Sequence, residues 1–462
     1  MATLNELHQT IGGTLLSQSA ANRACSTLLG PVVTDSRQVR EGNVFWGLEG
    51  RNHNGSDFAW EALARGASGV IVDQPVDLPE GRWAIQVRDT LGALWHWAGE
   101  VRRQFTGHMI AVTGSVGKTT TRQMIHTVLS SRLKGTASLR NYNNHVGVPL
   151  SMLRIEPDHD YAVMELGASQ PGEIGALASL CLPRIGVITR IGDAHLGGFG
   201  TRDGIAHAKA ELLTVLPADG HAVLGDDLWL RTAAAGCQAP ITWLGTSEHC
   251  DLIAHNVCMT RGRLDFRVGA TDFNVPVFGR HHVAGALAAF SVARILGFDW
   301  PDIAAALAQF EPLPQRCEVL ELRGATIIND TYNASPAAMQ AALELLREFD
   351  TAGRRIVIVG DMAELGGETG ALHWELGSQV VTVANADLLI ACGQYAGHVV
   401  AAARAAGMNA ARTIHCKRVE EVLPRLGQAV VPGDAVLVKG SRMMAMERVV
   451  AALSDFPRRR SA

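Results

Sequence analysis

The chain has 462 residues, with 41 Lys and Arg against 45 Asp and Glu, for a formal net charge of −4. Hydrophobic residues make up 47% and charged residues 19%, which excludes a largely disordered chain, and the near balance of charge argues against a general nucleic-acid binder. At roughly 100–200 residues per domain the length predicts two to four domains, each large enough for its own core.

The first ten residues, MATLNELHQT, lack a basic segment followed by an apolar core, so no signal peptide is expected. No apolar run nears the roughly 18 residues of a membrane span, and Val283–Phe290 reaches about half of that. A soluble, cytoplasmic protein is the expectation. Residues 1–105 read as a small α/β unit, with strand-like runs at Val44–Leu48, Gly69–Val72 and Trp83–Val87. Helical spacing appears at Asp57–Arg65 and Thr90–Phe105, the latter capped by Asp89 or Thr90. A strand at Met109–Thr113 opens into GSVGKTT and a helix around Arg122–Ser131. Further strands at Tyr161–Glu165, Arg184–Thr189 and His221–Leu224 alternate with helical or glycine-rich stretches, which predicts a mostly parallel sheet covered by helices. Glu311–Arg316 (EPLPQR) reads as a linker. Beyond it the alternation restarts, with strands at Thr326–Asp330, Arg355–Val359, Ala386–Ala391, Arg412–His415 and Ala435–Val438. Ser335-Pro336 has the form of an N-cap followed by proline at the first helical position. Arg458–Arg460 reads as a solvated tail. The fold class is therefore α/β in three domains: an N-terminal α/β domain (1–105), a central phosphate-loop parallel-sheet domain (106–313) and a C-terminal doubly wound domain (314–462).

Thr113-Gly114-Ser115-Val116-Gly117-Lys118-Thr119-Thr120 lies between a predicted strand and a predicted helix. Glycines there let backbone N–H groups wrap phosphate oxygens, and the helix N-terminus adds positive potential. Lys118 would neutralise phosphates and Thr119 would offer a hydroxyl to Mg²⁺. The strict G-x-x-x-x-G-K-[ST] pattern is not met, because Val112 stands at its first position. Glu165 ends a strand, where α/β sheets place ligands, and so suits a metal. His195 follows the strand ending at Thr189, and alone it reads as structural. Asp330 also ends a strand and would accept ribose hydroxyls, while Tyr332 offers a ring to a base; turn chemistry explains the same residues. The chain has five lysines, Lys118, Lys134, Lys209, Lys417 and Lys439, and the other basic residues are arginine. A retained lysine marks a place for a compact ammonium or a deprotonatable amine, with codon bias as the plain alternative. The eight cysteines (Cys25, Cys181, Cys237, Cys250, Cys258, Cys317, Cys392 and Cys416) form no C-x-x-C pair, neither a zinc spacing nor a disulfide framework.

Together these segments resemble the Mur ligase family, ATP-dependent amide-forming enzymes of peptidoglycan precursor synthesis. TDSR (Thr34–Arg37) with FWGLEG (Phe45–Gly50), TGSVGKTT, NYNNHVGVPL (Asn141–Leu150), MELGAS, AHLGGFG and AKAEL occur in the family's order. GRHHV, Gln315-Arg316, NDTYNASP, GDMAELG (Gly360–Gly366) and VKGSRMMAME (Val438–Glu447) complete the series. The last three motifs look most like the member that adds D-alanyl-D-alanine to UDP-N-acetylmuramoyl-tripeptide, and a DNPR-type motif is absent.

The resemblance implies that Thr113–Thr120 and Asn144 hold the ATP phosphates and that Thr119 and Glu165 hold one Mg²⁺. His195 and a carbamylated Lys209 would hold a second ion, and Arg316 would grip the γ-phosphate. Asp330 and Tyr332 would hold ribose and adenine. Asp35, Ser36 and Arg37 would meet the nucleotide-sugar substrate, and Asn333 and Lys439 the reacting groups. The implied catalytic set is Lys118, Glu165, His195, Lys209 and Arg316. Arg190, His282 and Gly285 stand where the family commonly has Asn, and Asn329 where it has Asp. The implied route runs through an acyl phosphate, with His373 or a carboxylate as base. A monomer with small-molecule substrates, and no nucleic-acid or membrane partner, is expected. Two alternatives stay open: a related ligase with another acceptor, and a nucleotide-binding paralogue without turnover.

Overall fold

The computed structural model describes residues 2–17, 27–50, 52–139, 141–193, 196–260 and 262–455. Cys25 and the Arg458–Arg460 tail lie outside them. The chain divides into two compact units, one of Met1–Ala111, Leu133–Leu166 and Ala176–Arg184, the other of Val112–Arg132, Gly167–Gly175 and Ile185–Ala462.

In the first unit a five-stranded sheet runs in the order Thr14–Ser17, Trp83–Gln86, Gly69–Val72, Val44–Trp46, Val32–Val33. Its first pair is antiparallel and the others parallel. Alternate residues serve opposite faces: Val44, Trp46, Ile71 and Ile85 join one apolar cluster, Phe45, Val70, Val72 and Ala84 another. Helix Thr90–Gln104 starts where Asp89 accepts the Gly92 N–H at 2.9 Å, which makes Asp89 the cap. The helix expected at Asp57–Arg65 is instead a 3-10 turn, Gly55–Phe58, followed by a short helix, Ala59–Ala64. The Asn54 side chain accepts the Ser56 N–H and imposes the tighter start.

Further strands pair within each unit: Leu252–Ile253, Ile241–Gly245, His221–Gly225 and Ile185–Ile188 in the second, and Tyr161–Glu165 with Gly135–Ala137 in the first. The first four strands pair in parallel, as do the last two. Helix Lys118–Leu129 begins four residues before the expected start, because Gly117 takes a left-handed φ of 85° and the helix opens directly behind it. An antiparallel sheet of His255–Thr260, Arg263–Val268 and Thr271–Val275 was not expected. It buries Leu264, Phe266 and Val268 while Arg263, Asp265 and Arg267 face away, and Phe266 stacks on Phe273 at 5.0 Å between ring centres.

The C-terminal sheet has six strands in the order Glu318–Leu322, Ala325–Asp330, Ala435–Lys439, Arg355–Gly360, Leu388–Cys392, Thr413–Cys416. The first pair is antiparallel and the rest parallel, as a doubly wound domain requires. Val357, Val359 and Leu437 pack against helices Pro336–Glu348 and Thr369–Thr382 on one face. Ile356, Ile358, Val436 and Val438 pack against helix Glu447–Asp455 on the other. Ser335 is the N-cap and Pro336 opens the helix, although the serine side chain makes no capping bond. Leu437 is fully buried on a central strand. Leu437→Ala should therefore cost about 2–5 kcal/mol of unfolding free energy with an unchanged denaturant slope, read from urea midpoints; a loss below about 1 kcal/mol would contradict this packing.

Candidate active site

Strand His108–Thr113 delivers the chain into the loop Gly114–Gly117, and two glycines there have left-handed backbones, φ 136° at Gly114 and 85° at Gly117. A Cβ on Gly114 would lie 2.1 Å from Thr189 Oγ1, so only glycine fits. Thr189 donates its hydroxyl to the Val116 carbonyl at 2.6 Å, and the Ser115 N–H donates to the Arg190 carbonyl at 2.8 Å. The loop is thus pinned by the end of strand Ile185–Ile188. The first intrahelical bond runs from the Thr121 N–H to the Gly117 carbonyl, so the amides of Lys118, Thr119 and Thr120 precede the helical ladder. Lys118 Nζ lies 2.8 Å from the Gly114 carbonyl, folded over the loop. The buried Ser115 hydroxyl has no hydrogen-bond partner among the described residues. Amides in advance of a helix, a lysine over them and an orphaned hydroxyl together suit an anionic phosphate ligand.

Lys209 lies on helix Arg202–Val215 and is 2% exposed. Its Nζ donates to the Ala168 carbonyl at 3.2 Å and sits 4.9 Å from the Phe199 ring centre. Burial, aided by the charge of Lys118, pushes its pKa down to about 7, so near neutrality a large share of the amine is uncharged. His195 lies outside the described residues. Arg202 forms a two-pronged pair with Asp193, its Nε 2.5 Å from Oδ1.

In the first unit Glu165 closes strand Tyr161–Glu165 and is 1% exposed. Its Oε1 accepts from Asn143 Nδ2 at 2.8 Å. Asn144, expected at the ATP phosphates, uses its Oδ1 to accept the N–H groups of Val146 and Gly147, which opens helix Gly147–Met152. Asn143 is the residue that sequence reasoning missed. The signal was present, since an asparagine three residues before a helix is a turn former and leaves its neighbour free for other duty. Asp35 accepts two bonds from the Arg37 guanidinium, at 2.9 and 3.0 Å, which holds its carboxyl well below the usual range. Ser36 is buried and donates to Glu61 at 2.9 Å, so of these three residues Arg37 alone is prominently exposed.

The C-terminal residues also meet one another. Lys439 is turned inward rather than toward solvent, with Nζ 2.5 Å from Asp330 Oδ2 and 2.9 Å from the Asn333 carbonyl. Asp330 Oδ1 accepts the Cys317 N–H at 3.3 Å. The Arg316 guanidinium lies over the Tyr332 ring at 4.0 Å and covers one of its faces. His373 is corrected as a candidate base. Its Nε2 accepts the Met362 N–H at 3.0 Å, so its proton sits on Nδ1, which donates to the Thr369 carbonyl at 2.7 Å. A neutral imidazole has one lone pair in its plane, and here it is spent holding the Gly360–Gly366 loop. A cleft of about 460 Å³ is lined by Arg190, Asp193, Arg202, Trp229, Ala337 and Glu375 among others.

A parallel α/β sheet with this loop at a strand end defines a phosphate-binding protein. Residues 112–293 match the Mur ligase middle domain and residues 315–442 the Mur ligase glutamate ligase domain. The UDP-N-acetylmuramoyl-tripeptide–D-alanyl-D-alanine ligase of Escherichia coli K12 is 34% identical over 98% of both chains. MurF of Acinetobacter baumannii superposes with a TM-score of 0.85 at 29% identity over 98% of each chain. MurF of Thermotoga maritima, solved with ADP, superposes at 0.78 with 29% identity over 92% of this chain and 97% of that one. The chain belongs to the Mur ligase family. Its α/β, three-domain architecture agrees with the MurF structures.

Lys209 also sets a pH dependence. Its folded pKa of about 7 lies below its ordinary 10.5, so between those values the unfolded chain binds more protons and stability rises with pH. Lys209→Met should therefore raise Tm more at pH 6 than at pH 9.5; an equal shift at both would show that the amine is not desolvated.

Proposed function

We propose that this chain joins D-alanyl-D-alanine to UDP-N-acetylmuramoyl-tripeptide, converting ATP to ADP and phosphate, as a step of peptidoglycan precursor synthesis. The observation that carries the reading is similarity over nearly the whole chain to a ligase of that name, in a protein whose phosphate loop is intact. ATP is the nucleotide, consistent with the ADP seen in the related Thermotoga maritima structure. The domains divide at 1–105, 106–313 and 314–462. Left-handed backbones at Gln315 and Cys317, on either side of Arg316, stand at the start of the last of these. The protein acts as a cytoplasmic monomer, and none of its described helices is long and apolar enough to cross a membrane.

A carboxylate and an ammonium do not condense in water without activation. The tripeptide's terminal carboxylate attacks the γ-phosphorus, the bond to the ADP oxygen breaks, and an acyl phosphate forms. The deprotonated amine of D-alanyl-D-alanine then attacks the acyl carbon, and phosphate leaves with its electron pair. The protein's part is to position these groups and to neutralise charge. The loop amides, Ser115 and Lys118 hold the phosphates, and Arg316 supplies a further cation. Asp330 and Tyr332 take ribose and base, Arg37 meets the nucleotide-sugar, and Asn333 and Lys439 serve the reacting end. With His373 engaged on both nitrogens, the amine proton goes to a carboxylate or to solvent.

The residues present fit Mg²⁺. Glu165 is a buried carboxylate at a strand end, and Thr119 is a buried hydroxyl at a helix start. Each offers an oxygen that Mg²⁺ accepts, and the ion, when bound, would draw charge from the phosphate oxygens. A second ion would use His195 and the carbamate of Lys209. Carbamylation needs an unprotonated amine, which attacks CO₂ and releases one proton, and the buried Nζ with its pKa near 7 supplies that amine.

Phosphate release from Mg-ATP should require the tripeptide substrate and D-alanyl-D-alanine together, with a product heavier by the dipeptide. Release with a different acceptor amino acid would move the chain to a neighbouring ligase, and tight ATP binding without release would make it an inactive paralogue. Lys209→Ala should lose at least about 100-fold in kcat, with partial rescue by added short carboxylic acids. Near-normal turnover of that variant without rescue would remove the carbamate.

A further inference from the structure

His281, His282 and Cys317 place their ring nitrogens and thiol within 4.8 Å of one another. The two histidines form the 3-10 turn Arg280–His282 ahead of helix Val283–Ile295, and the cysteine lies in the linker at the start of the C-terminal sheet. His282 and Cys317 are buried, and His281 partly so. None of the three is among the residues assigned above to phosphate, Mg²⁺ or the reacting groups, and His282 stands where the family commonly has Asn. We propose that they form a binding site for a thiophilic divalent cation of the Zn²⁺ class.

The three side chains are already arranged for it. The His281 and His282 rings lie against each other at a tilt, their centres 4.0 Å apart. The His281 ring lies against Gly279, where a Cβ would come within 2.4 Å of its Cε1, so a glycine makes the room that this ring occupies. The Cys317 backbone is held in a left-handed conformation, φ 51°, with its N–H on Asp330. Two imidazoles and one thiolate are a ligand set that Zn²⁺ accepts, with the fourth position open to water or to Asp330. Tetrahedral coordination at bond lengths of 2.0–2.3 Å sets ligand atoms about 3.5 Å apart, so side-chain rotation must close the set by roughly an ångström.

The nearby cations do not forbid the site. Lys439 is paired with Asp330, Arg316 is stacked on Tyr332, and at His281 the Glu344 carboxylate opposes Arg190. An ion held here would tie the turn before helix Val283–Ile295 to the linker that carries Arg316. It would thus cross-link segments 36 residues apart in sequence, 317 − 281.

The test is Co²⁺ titration of the reduced full-length protein, followed by thiolate-to-cobalt charge-transfer absorption and displacement by Zn²⁺. One equivalent of Co²⁺ should develop the band and Zn²⁺ should discharge it. Cys317→Ser should abolish the band while the circular dichroism spectrum stays unchanged. His281→Ala should keep the thiolate band but weaken Co²⁺ binding about tenfold or more, and it supplies the comparison if the serine variant fails to fold. A wild-type protein without a thiolate band, a band that survives Cys317→Ser, or full affinity in His281→Ala would each overturn the site. Because the readout is the metal complex itself, the result is independent of whether the ligase reading stands.

Discussion

A phosphate can be gripped by backbone alone only if several N–H groups converge on one point, and neither extended nor right-handed helical backbone does this over consecutive residues. The loop Gly114–Gly117 meets that demand with left-handed glycines at each end, immediately ahead of a helix N-terminus. Gly114 is constrained twice, by its φ and by the Thr189 hydroxyl where its Cβ would be. That hydroxyl also holds the Val116 carbonyl, while the Arg190 carbonyl holds the Ser115 amide. The shape of the loop therefore depends on the residues that end strand Ile185–Ile188. Parallel pairing of that strand with His221–Gly225 helps fix where it ends, so the phosphate cradle rests on sheet register as well as on its own sequence.

The scarcity of lysine acquires a physical meaning beside this loop. Two of the five lysines are 2% exposed, and a buried ammonium must either find a counter-charge or give up its proton. Lys439 takes the first course with Asp330. Lys209 meets a carbonyl and an aromatic ring, and its pKa falls to about 7. Arginine could take only the first course, because its guanidinium does not deprotonate in proteins. Lys134, by contrast, pairs with Glu156 and Asp158 at the surface, where arginine would serve as well.

Where periodicity and strand-end motifs coincided, the sequence was legible: the parallel strands, the phosphate loop, and the place of Glu165 at the end of its strand. Three features were not. The antiparallel strands of 255–275 carry short, charged, alternating segments that give no long apolar run, although the two-residue Gly269-Ala270 connection is a hairpin signal. The bond from Asn143 to Glu165 turns on which of two neighbouring asparagines the next helix consumes, and a motif match does not report that. His373 resembled a base in sequence because its hydrogen-bond partners are the backbone groups of Met362 and Thr369, which no side-chain pattern reveals.

Asp330 shows how such roles compete. Its two oxygens already serve Lys439 and the Cys317 amide, yet the ligase reading asks it to accept ribose hydroxyls. A carboxylate has about four acceptor positions, so hydroxyls can be added without breaking either bond, provided they approach along the remaining lone pairs. Lys439 has less freedom. To meet a reacting carboxylate it must leave Asp330 and Asn333, and moving one member of a buried pair strands the other charge unless a substitute arrives at the same time. Nucleotide binding cannot supply that substitute by charge, because ATP is itself anionic. The pair therefore opposes any move of Lys439 out of its contacts with Asp330 and the Asn333 carbonyl, so serving the reacting end requires the substrate to approach Lys439 where it stands.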